Sequence, residues 1–239
     1  MSRQRQHALR IFRAALLAAD PYQAVLNAVA FDGQVLKIGP KTYRVSNFES
    51  IWVLGAGKAS AAMARAIENV LGRRITGGLI NVPDGIETRL RRIELCPSGH
   101  PIPNARGAEG ARRMLEMARA AGPRDLLIAL ISGGASALLP APAPPLTLEG
   151  KQQLTRSLLA CGAAIHEMNA VRKHLSLIKG GQLAWAAYPA TIVTLMISDV
   201  VGDDPEVIGS GPTVPDPSTV ADAKRIRPLQ RAITRSFEN

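Results

Sequence analysis

Ile51-Trp52-Val53-Leu54-Gly55-Ala56-Gly57-Lys58-Ala59-Ser60 is the stretch on which the fold turns. Four apolar residues in a row run straight into a small-residue turn. An Ala-rich, helix-forming segment follows from Ala59 to Leu71 and is closed by Gly72. A strand too short to be a helix, then a glycine turn, then a helix, is the opening of a βα unit. The same grammar repeats outward. Leu79–Val82 reads as a strand ended by Pro83-Asp84-Gly85, and Ile93–Leu95 as another, running into Pro97–Pro101. A helix is expected from about Asn104 to Ala121. Leu126–Ile131 is a continuous apolar run ending in Ser132-Gly133-Gly134-Ala135-Ser136. After the proline-rich Pro140–Pro145, Thr147 caps a helix reaching about Cys161, and another spans about Ile165 to Ile178, stopped by Gly180-Gly181. Thr191–Ile197 is a last apolar run, ending in Ser198-Asp199 and, a few residues on, Asp203-Asp204.

Strands that are apolar throughout, rather than alternating, belong to a sheet covered on both faces. The expected fold is therefore α/β: a Rossmann-like three-layer domain with a mostly parallel sheet. Upstream, residues 7–19 have helical apolar spacing. Asp20-Pro21 ends that helix and starts a second, and residues 31–48 read as a hairpin-like or irregular connection.

Composition narrows the function classes. The chain has 239 residues, 46% hydrophobic and 20% charged, as for a globular protein with a large core. No apolar run is long enough to span a membrane, and no signal-peptide core precedes a cleavage site, so a cytoplasmic protein without membrane contact is expected. Cys96 and Cys161 make neither a disulfide framework nor a zinc set. The net charge of +10 comes mostly from arginine surpluses in residues 1–20, 65–92 and 221–239. Aromatics make up only 4% and do not interleave with these basic stretches, so stacking on bases lacks its usual residues. A solvated basic surface is expected rather than nucleic-acid binding.

In parallel sheets of this kind ligands bind beyond the carboxyl ends of the strands, so three loops are expected to line one crevice. The first is Gly55-Ala56-Gly57-Lys58-Ala59-Ser60. Its glycines admit close approach of an anion, and the helix behind it offers free N–H groups. It is not a P-loop, and it half-matches the dinucleotide fingerprint, with Ser60 in the third glycine's place and Asp84 too far downstream for the ribose. Lys58 at a helix N-terminus opposes the dipole and asks for an anionic partner. The second loop, Ser132-Gly133-Gly134-Ala135-Ser136, suits a phosphate nest. The rival reading, a serine nucleophile elbow, fails because Leu138 takes the last glycine's place. The third loop places Asp199, Asp203 and Asp204 where carboxylates can hold Mg2+. Between the second and third, Asn169, Arg172 and Lys173 fall at i, i+3 and i+4, and are expected to share a helix face that grips an anion. An ordinary βα turn or a solvated helix face would give the same residues at each of these places. His100, between Gly99 and Pro101, reads as structural.

In order, Gly55–Ser60, Gly99-His100-Pro101, Ser132–Leu138, Asn169–Leu175, Lys179-Gly180-Gly181, Ser198–Asp203 and Ser210-Gly211-Pro212 resemble the glycerate 2-kinase family, the MOFRL-containing glycerate kinases, some described as hydroxypyruvate reductases. The likeness runs from about residue 7 to 219. Ala135 departs from a usual glycine and Asn104 from a usual Asp. The resemblance implies transfer of the γ-phosphate of ATP to the 2-hydroxyl of D-glycerate with Mg2+, Lys58 being catalytic. It further implies phosphate or substrate binding by Gly55, Gly57, Ser60, Ser132, Gly133, Gly134, Ser136, Asn169, Arg172 and Lys173, and metal binding by Asp199 and Asp203. It divides the chain into an N-terminal α/β domain, residues 1–219, and a basic helical tail, 220–239. The family's C-terminal MOFRL domain, which contributes an arginine to the cleft, has no counterpart in this sequence. A homodimer is compatible with it, an NAD(P)H-dependent hydroxypyruvate reductase is the alternative activity, and a truncated non-catalytic domain is the other alternative.

Overall fold

The computed structural model describes residues 2–160 and 162–226. Two helices, α1 (Arg3–Ala18) and α2 (Pro21–Ala28), come first, and the Asp20 carboxylate caps α2 by accepting from the Tyr22 amide at 3.0 Å. The connection expected at 31–48 is more regular than its sequence suggests. It forms a three-stranded antiparallel meander of β1 (Val29–Phe31), β2 (Val35–Ile38) and β3 (Lys41–Arg44). The main chain then alternates as β4 (Ser50–Ala56), α3 (Ser60–Leu71), β5 (Gly77–Pro83), β6 (Ile93–Ser98), α4 (Ala105–Ala120) and β7 (Asp125–Ser132). After β7 come α5 (Ala135–Leu138), α6 (Leu148–Ala160), α7 (Ile165–His174), α8 (Gln182–Ala187), β8 (Thr191–Ile197) and α9 (Val220–Arg225).

The five strands β4 to β8 form one sheet in the order β6-β5-β4-β7-β8, with every neighbouring pair parallel. Successive side chains on a strand point to opposite faces, and both faces are covered. Ile51 and Val53 of β4, with Leu126, Ile128 and Leu130 of β7, pack against Met63, Ala64 and Ile67 of α3 and against the meander. Leu54 and Ala56, with Leu127 and Ile131, face α4 through Met114 and Leu115, and α8 through Leu183. This is why the strands read as continuously apolar. A third, smaller cluster joins Leu158 of α6, Met168 and Val171 of α7 and Ala223 and Ile226 at α9. The tail thus folds back onto α7 as far as residue 226, and residues 227–239 of the expected helical tail lie outside the described residues.

Asn104, which stands where the related pattern has Asp, caps α4 by accepting from the Gly107 amide at 3.0 Å. Either side chain supplies that oxygen, so the departure is neutral for the helix. Replacing Asn104 with Ala leaves the amide unpaired and is expected to cost about 1 kcal/mol, read as a lowered melting temperature.

Candidate active site at the switch point of the sheet

The chain leaves β4 toward β5 on one side and later returns through β7 on the other, so the strand order reverses between β4 and β7. At such a point two loops diverge and leave a crevice outside the strand ends. The loops there are Gly57-Lys58 and Gly133-Gly134. They are tied together: the Lys58 amide donates to the Gly133 carbonyl at 2.9 Å, and the Ala59 amide donates to Ser132 Oγ at 3.0 Å. The backbones approach so closely that a Cβ on Gly57 would overlap Ser132 Oγ, and one on Gly55 would overlap the Leu130 carbonyl. Gly57 also sits at φ +145°, which side chains disfavour.

Two expected ligand-binding hydroxyls turn out to be part of this joint. Ser60 and Ser132 are buried, the Ser60 hydroxyl lies 3.2 Å from both the Leu130 carbonyl and Ser132 Oγ, and Ser132 Oγ accepts the Ala59 amide. Both are committed to holding the loops together. Lys58, by contrast, is exposed, and its Cε passes 3.2 Å from where a Cβ on Gly134 would lie. His100 approaches the same spot, with Nε2 at 3.0 Å. Gly134 itself is at φ +87° and opens α5. Asp199, one residue past Ser198, packs its carboxylate over Gly133 so tightly that a Cβ there would overlap it. Lys58, His100, Gly133, Gly134 and Asp199 therefore converge. Burial, with the Lys58 charge beside it, holds the His100 imidazole below its usual range, so it is uncharged at neutral pH.

The expected anion-gripping face of α7 is split. Residues 172 and 173 are adjacent, which on an α-helix puts them ~100° apart. Arg172 lines a cavity of about 170 Å3 with His100, Gly134, Ser136, Lys151 and Thr155. Asn169 and Lys173 turn to a different cavity, where Lys173 Nζ is ion-paired to Glu206 at 3.2 Å and Asp216 at 3.3 Å. Asn169 is buried and accepts from Ser210 Oγ at 3.5 Å, and that hydroxyl lies 3.0 Å from Ser136 Oγ. Lys173 is thus neutralised within the fold, while Arg172 is not.

Asp203 follows in an exposed turn at φ +52°, and among the described residues its carboxylate has no hydrogen-bond or ion-pair partner. Among the described residues no group of three or more His, Cys, Asp or Glu side chains is placed to hold a metal. Mg2+ bound with nucleotide phosphates usually takes only one or two carboxylates, and Asp199, exposed over Gly133, fits that more limited role.

Two residues without an assigned role in the sequence reading stand in this site. Lys151, on α6, is 6% exposed, and Lys179, just after α7, is fully buried with Nζ donating to the Ser136 carbonyl at 2.9 Å. Burial, reinforced by the Lys151 and Arg172 charges, pushes the Lys179 ammonium well below its usual range. Lys151 had a signal in the sequence: it falls in the opening turns of α6 and opposes the dipole, as Lys58 does at α3.

A family model described as a domain of unknown function, DUF4147, matches residues 7–235. The chain belongs to this family. Among its relatives are a glycerate 2-kinase from Pyrococcus horikoshii, 43% identical over 225 residues, and a protein from Agrobacterium vitis named provisionally as a hydroxypyruvate reductase, 46% identical over 222 residues. They cover 94% and 93% of this chain, and 50% and 48% of their own lengths. The chain thus spans about half the length of the curated relatives it matches. Among solved structures, a protein from Pyrococcus horikoshii OT3 superposes with a TM-score of 0.88 at 41% identity, covering 98% of this chain and 53% of that one. A glycerate kinase from Thermotoga maritima gives 0.73 at 36%, covering 90% and 51%. The α/β fold expected from the sequence is the fold of this DUF4147 member. No helix among its described residues is long and apolar enough to cross a membrane.

Proposed function

We propose that this DUF4147 chain forms the phosphate- and substrate-binding half of an ATP- and Mg2+-dependent kinase that phosphorylates D-glycerate at the 2-hydroxyl. The observation that carries the reading is the convergence of Lys58, His100, Arg172 and the Gly133-Gly134 turn at the switch point, with the Asp199 carboxylate packed on that turn. Two anionic substrates must be brought together there, and cations without internal partners supply the charge. The Pyrococcus relative is named a glycerate 2-kinase, and the Thermotoga structure a glycerate kinase, which supports the substrate but not the position phosphorylated.

Each residue then has a task. The backbone of Gly57, Gly133 and Gly134 lets phosphate oxygens come close, as no side chain intervenes. Gly55 keeps β4 tight against β7 behind them. The Lys58 ammonium stabilises charge on the phosphoryl group in flight, since phosphoryl transfer is mostly positioning and electrostatics. Uncharged His100 can accept the proton that the 2-hydroxyl gives up. Asp199, with Asp203 in the next turn, would hold Mg2+, which neutralises phosphate charge when bound. The tail from residue 220 belongs with the α/β domain as far as α9 packs on α7.

The reductase alternative is less well supported. Asp84, the acid nearest a ribose-binding position, is already bound by Arg106 at 2.6 Å. The test is to assay the chain alone and fused to the second half of the Pyrococcus relative. ADP release with D-glycerate and ATP, with 2-phosphoglycerate identified by phosphorus NMR, is the expected result. NADH oxidation with hydroxypyruvate and no ADP release in either form would overturn it.

A further inference from the structure

We infer that the cavity between α5, α6 and α7 is a carboxylate site, in which Lys151 and Arg172 grip the acid group of a short 2-hydroxy acid while Lys179 backs the floor through the Ser136 carbonyl. The choice of a hydroxy acid as occupant rests on the glycerate reading above; the anionic character of the occupant does not.

Three basic side chains meet here from three segments. Lys151 comes from α6, Arg172 from α7 and Lys179 from the turn after α7. Lys151 and Arg172 line the cavity, Lys179 lies behind the Ser136 carbonyl, and a fourth group, His100, lines the cavity uncharged. None of the lining residues is acidic. Among the described residues, neither Lys151 Nζ nor the Arg172 guanidinium has a hydrogen-bond or ion-pair partner, although the Lys151 residue is 94% buried by its 6% exposure. Crowding unpaired cations side by side on a largely buried wall costs stability, and proteins tolerate it where a ligand completes the charge. The penalty is visible in the groups themselves. Burial, with the Arg172 charge beside it, pushes the Lys151 ammonium down to about 8, and burial also lowers Arg172. Lys173, the neighbour of Arg172, shows the contrast, because the fold gives it two carboxylates.

Size selects the occupant. At about 170 Å3 the cavity is smaller than the ~300 Å3 at which pockets for drug-sized ligands begin, so it takes a group of a few atoms rather than a nucleotide. A guanidinium offers a planar fork to a carboxylate, and a lysine beside it adds a point charge. The mouth of the cavity is shared with the reacting centre, since Gly134 and His100 line it and both meet Lys58. An acid group held by Lys151 and Arg172 therefore leaves the adjacent hydroxyl of a 2-hydroxy acid directed toward His100 and Lys58.

The experiment is calorimetric titration of the intact chain with D-glycerate, glycerol and inorganic phosphate, on the wild type, Lys151→Met and Arg172→Met. The expected result is that D-glycerate binds, glycerol does not, and each variant weakens glycerate about 10- to 100-fold. With no ligand, neither variant should melt below the wild type, since each removes one of two unpartnered cations that crowd each other. Equal glycerate binding by wild type and both variants overturns the site, as does wild type that binds no glycerate. Phosphate binding lost in Lys151→Met, with no glycerate binding, overturns the carboxylate assignment in favour of a phosphate. The kinase reading fails separately. Turnover of hydroxypyruvate with NADH, whose KM still rises in Lys151→Met, removes the kinase and leaves the carboxylate site standing.

Discussion

Lys58→Met is expected to lower turnover of D-glycerate and ATP by about 100- to 1000-fold while leaving the fold intact. Removing one preorganised donor to transition-state charge typically costs that much. The side chain is exposed and, among the described residues, makes no hydrogen bond or ion pair, so its loss removes no packing. What fixes the position is the backbone: the Lys58 amide bonds to the Gly133 carbonyl, and methionine keeps that bond. Melting temperature should therefore stay close to wild type, as for surface substitutions generally. A second readout needs no catalysis. The imidazole of His100 is held down first by burial and then by the Lys58 charge, so Lys58→Met should move its NMR titration upward. Turnover within threefold of wild type, measured as ADP release in the form that is active, would remove Lys58 from the reaction. An unmoved His100 titration would place the ammonium away from the crevice.

Much of the architecture was legible because burial on both faces leaves an unmistakable trace. β4, β5, β7 and β8 each appear as an apolar run ending in glycine, proline or serine, and the observed strands differ from those runs by two residues at most at either end. The helices that escaped notice, α5 and α8, both follow a glycine pair. Gly134 and Gly181 adopt left-handed conformations and start a helix, whereas the sequence alone reads Gly133-Gly134 as a ligand loop and Gly180-Gly181 as a stop. The reverse error fell on α7, expected to run to Ile178. It ends at His174 because Ser176 Oγ accepts the Ile178 and Lys179 amides, and Ser176 bridges to Pro142. The site was legible as loops but not as contacts. Helical spacing put Asn169, Arg172 and Lys173 together, yet whether a cation faces a cavity or a carboxylate depends on Glu206 and Asp216, more than thirty residues later in the chain. Ser60 and Ser132 looked like ligand donors for the same reason. Their hydroxyls are seventy-two residues apart in sequence and 3.2 Å apart in space. His100 was read as structural because it stands alone in its loop. Only the fold brings Lys58 and Gly134 to it.

The largest stability effect is expected one residue from a cation whose loss should cost nothing. Lys173 is buried, 6% exposed at its side chain, and balances Glu206 and Asp216. Lys173→Met takes the cation from both carboxylates, leaving Asp216 with the Ser218 hydrogen bonds and His174 beside it. Breaking a buried pair from one side typically costs ~3–5 kcal/mol, and the partial exposure of Glu206 argues for about 3 kcal/mol here. In a chain of this size each kcal/mol moves the melting temperature by roughly 2–4 °C, so a fall of about 6–12 °C should appear in a circular-dichroism melt at pH 7. Arg172→Met, in the same melt, should stay level or rise. The pH dependence has a definite sign. Burial pushes the Asp216 carboxyl up, but the Ser218 hydrogen bonds and the Lys173 charge outweigh it and leave the group below its ordinary 3.8. A carboxyl depressed in the folded state stabilises above that value, and the contribution is lost as pH falls through the folded one. The gap between wild type and Lys173→Met should therefore be full at neutral pH and narrow below pH 3.8. A Lys173→Met protein that melts with the wild type, while Arg172→Met melts early, would reverse the assignment and return the anion-gripping role to Lys173.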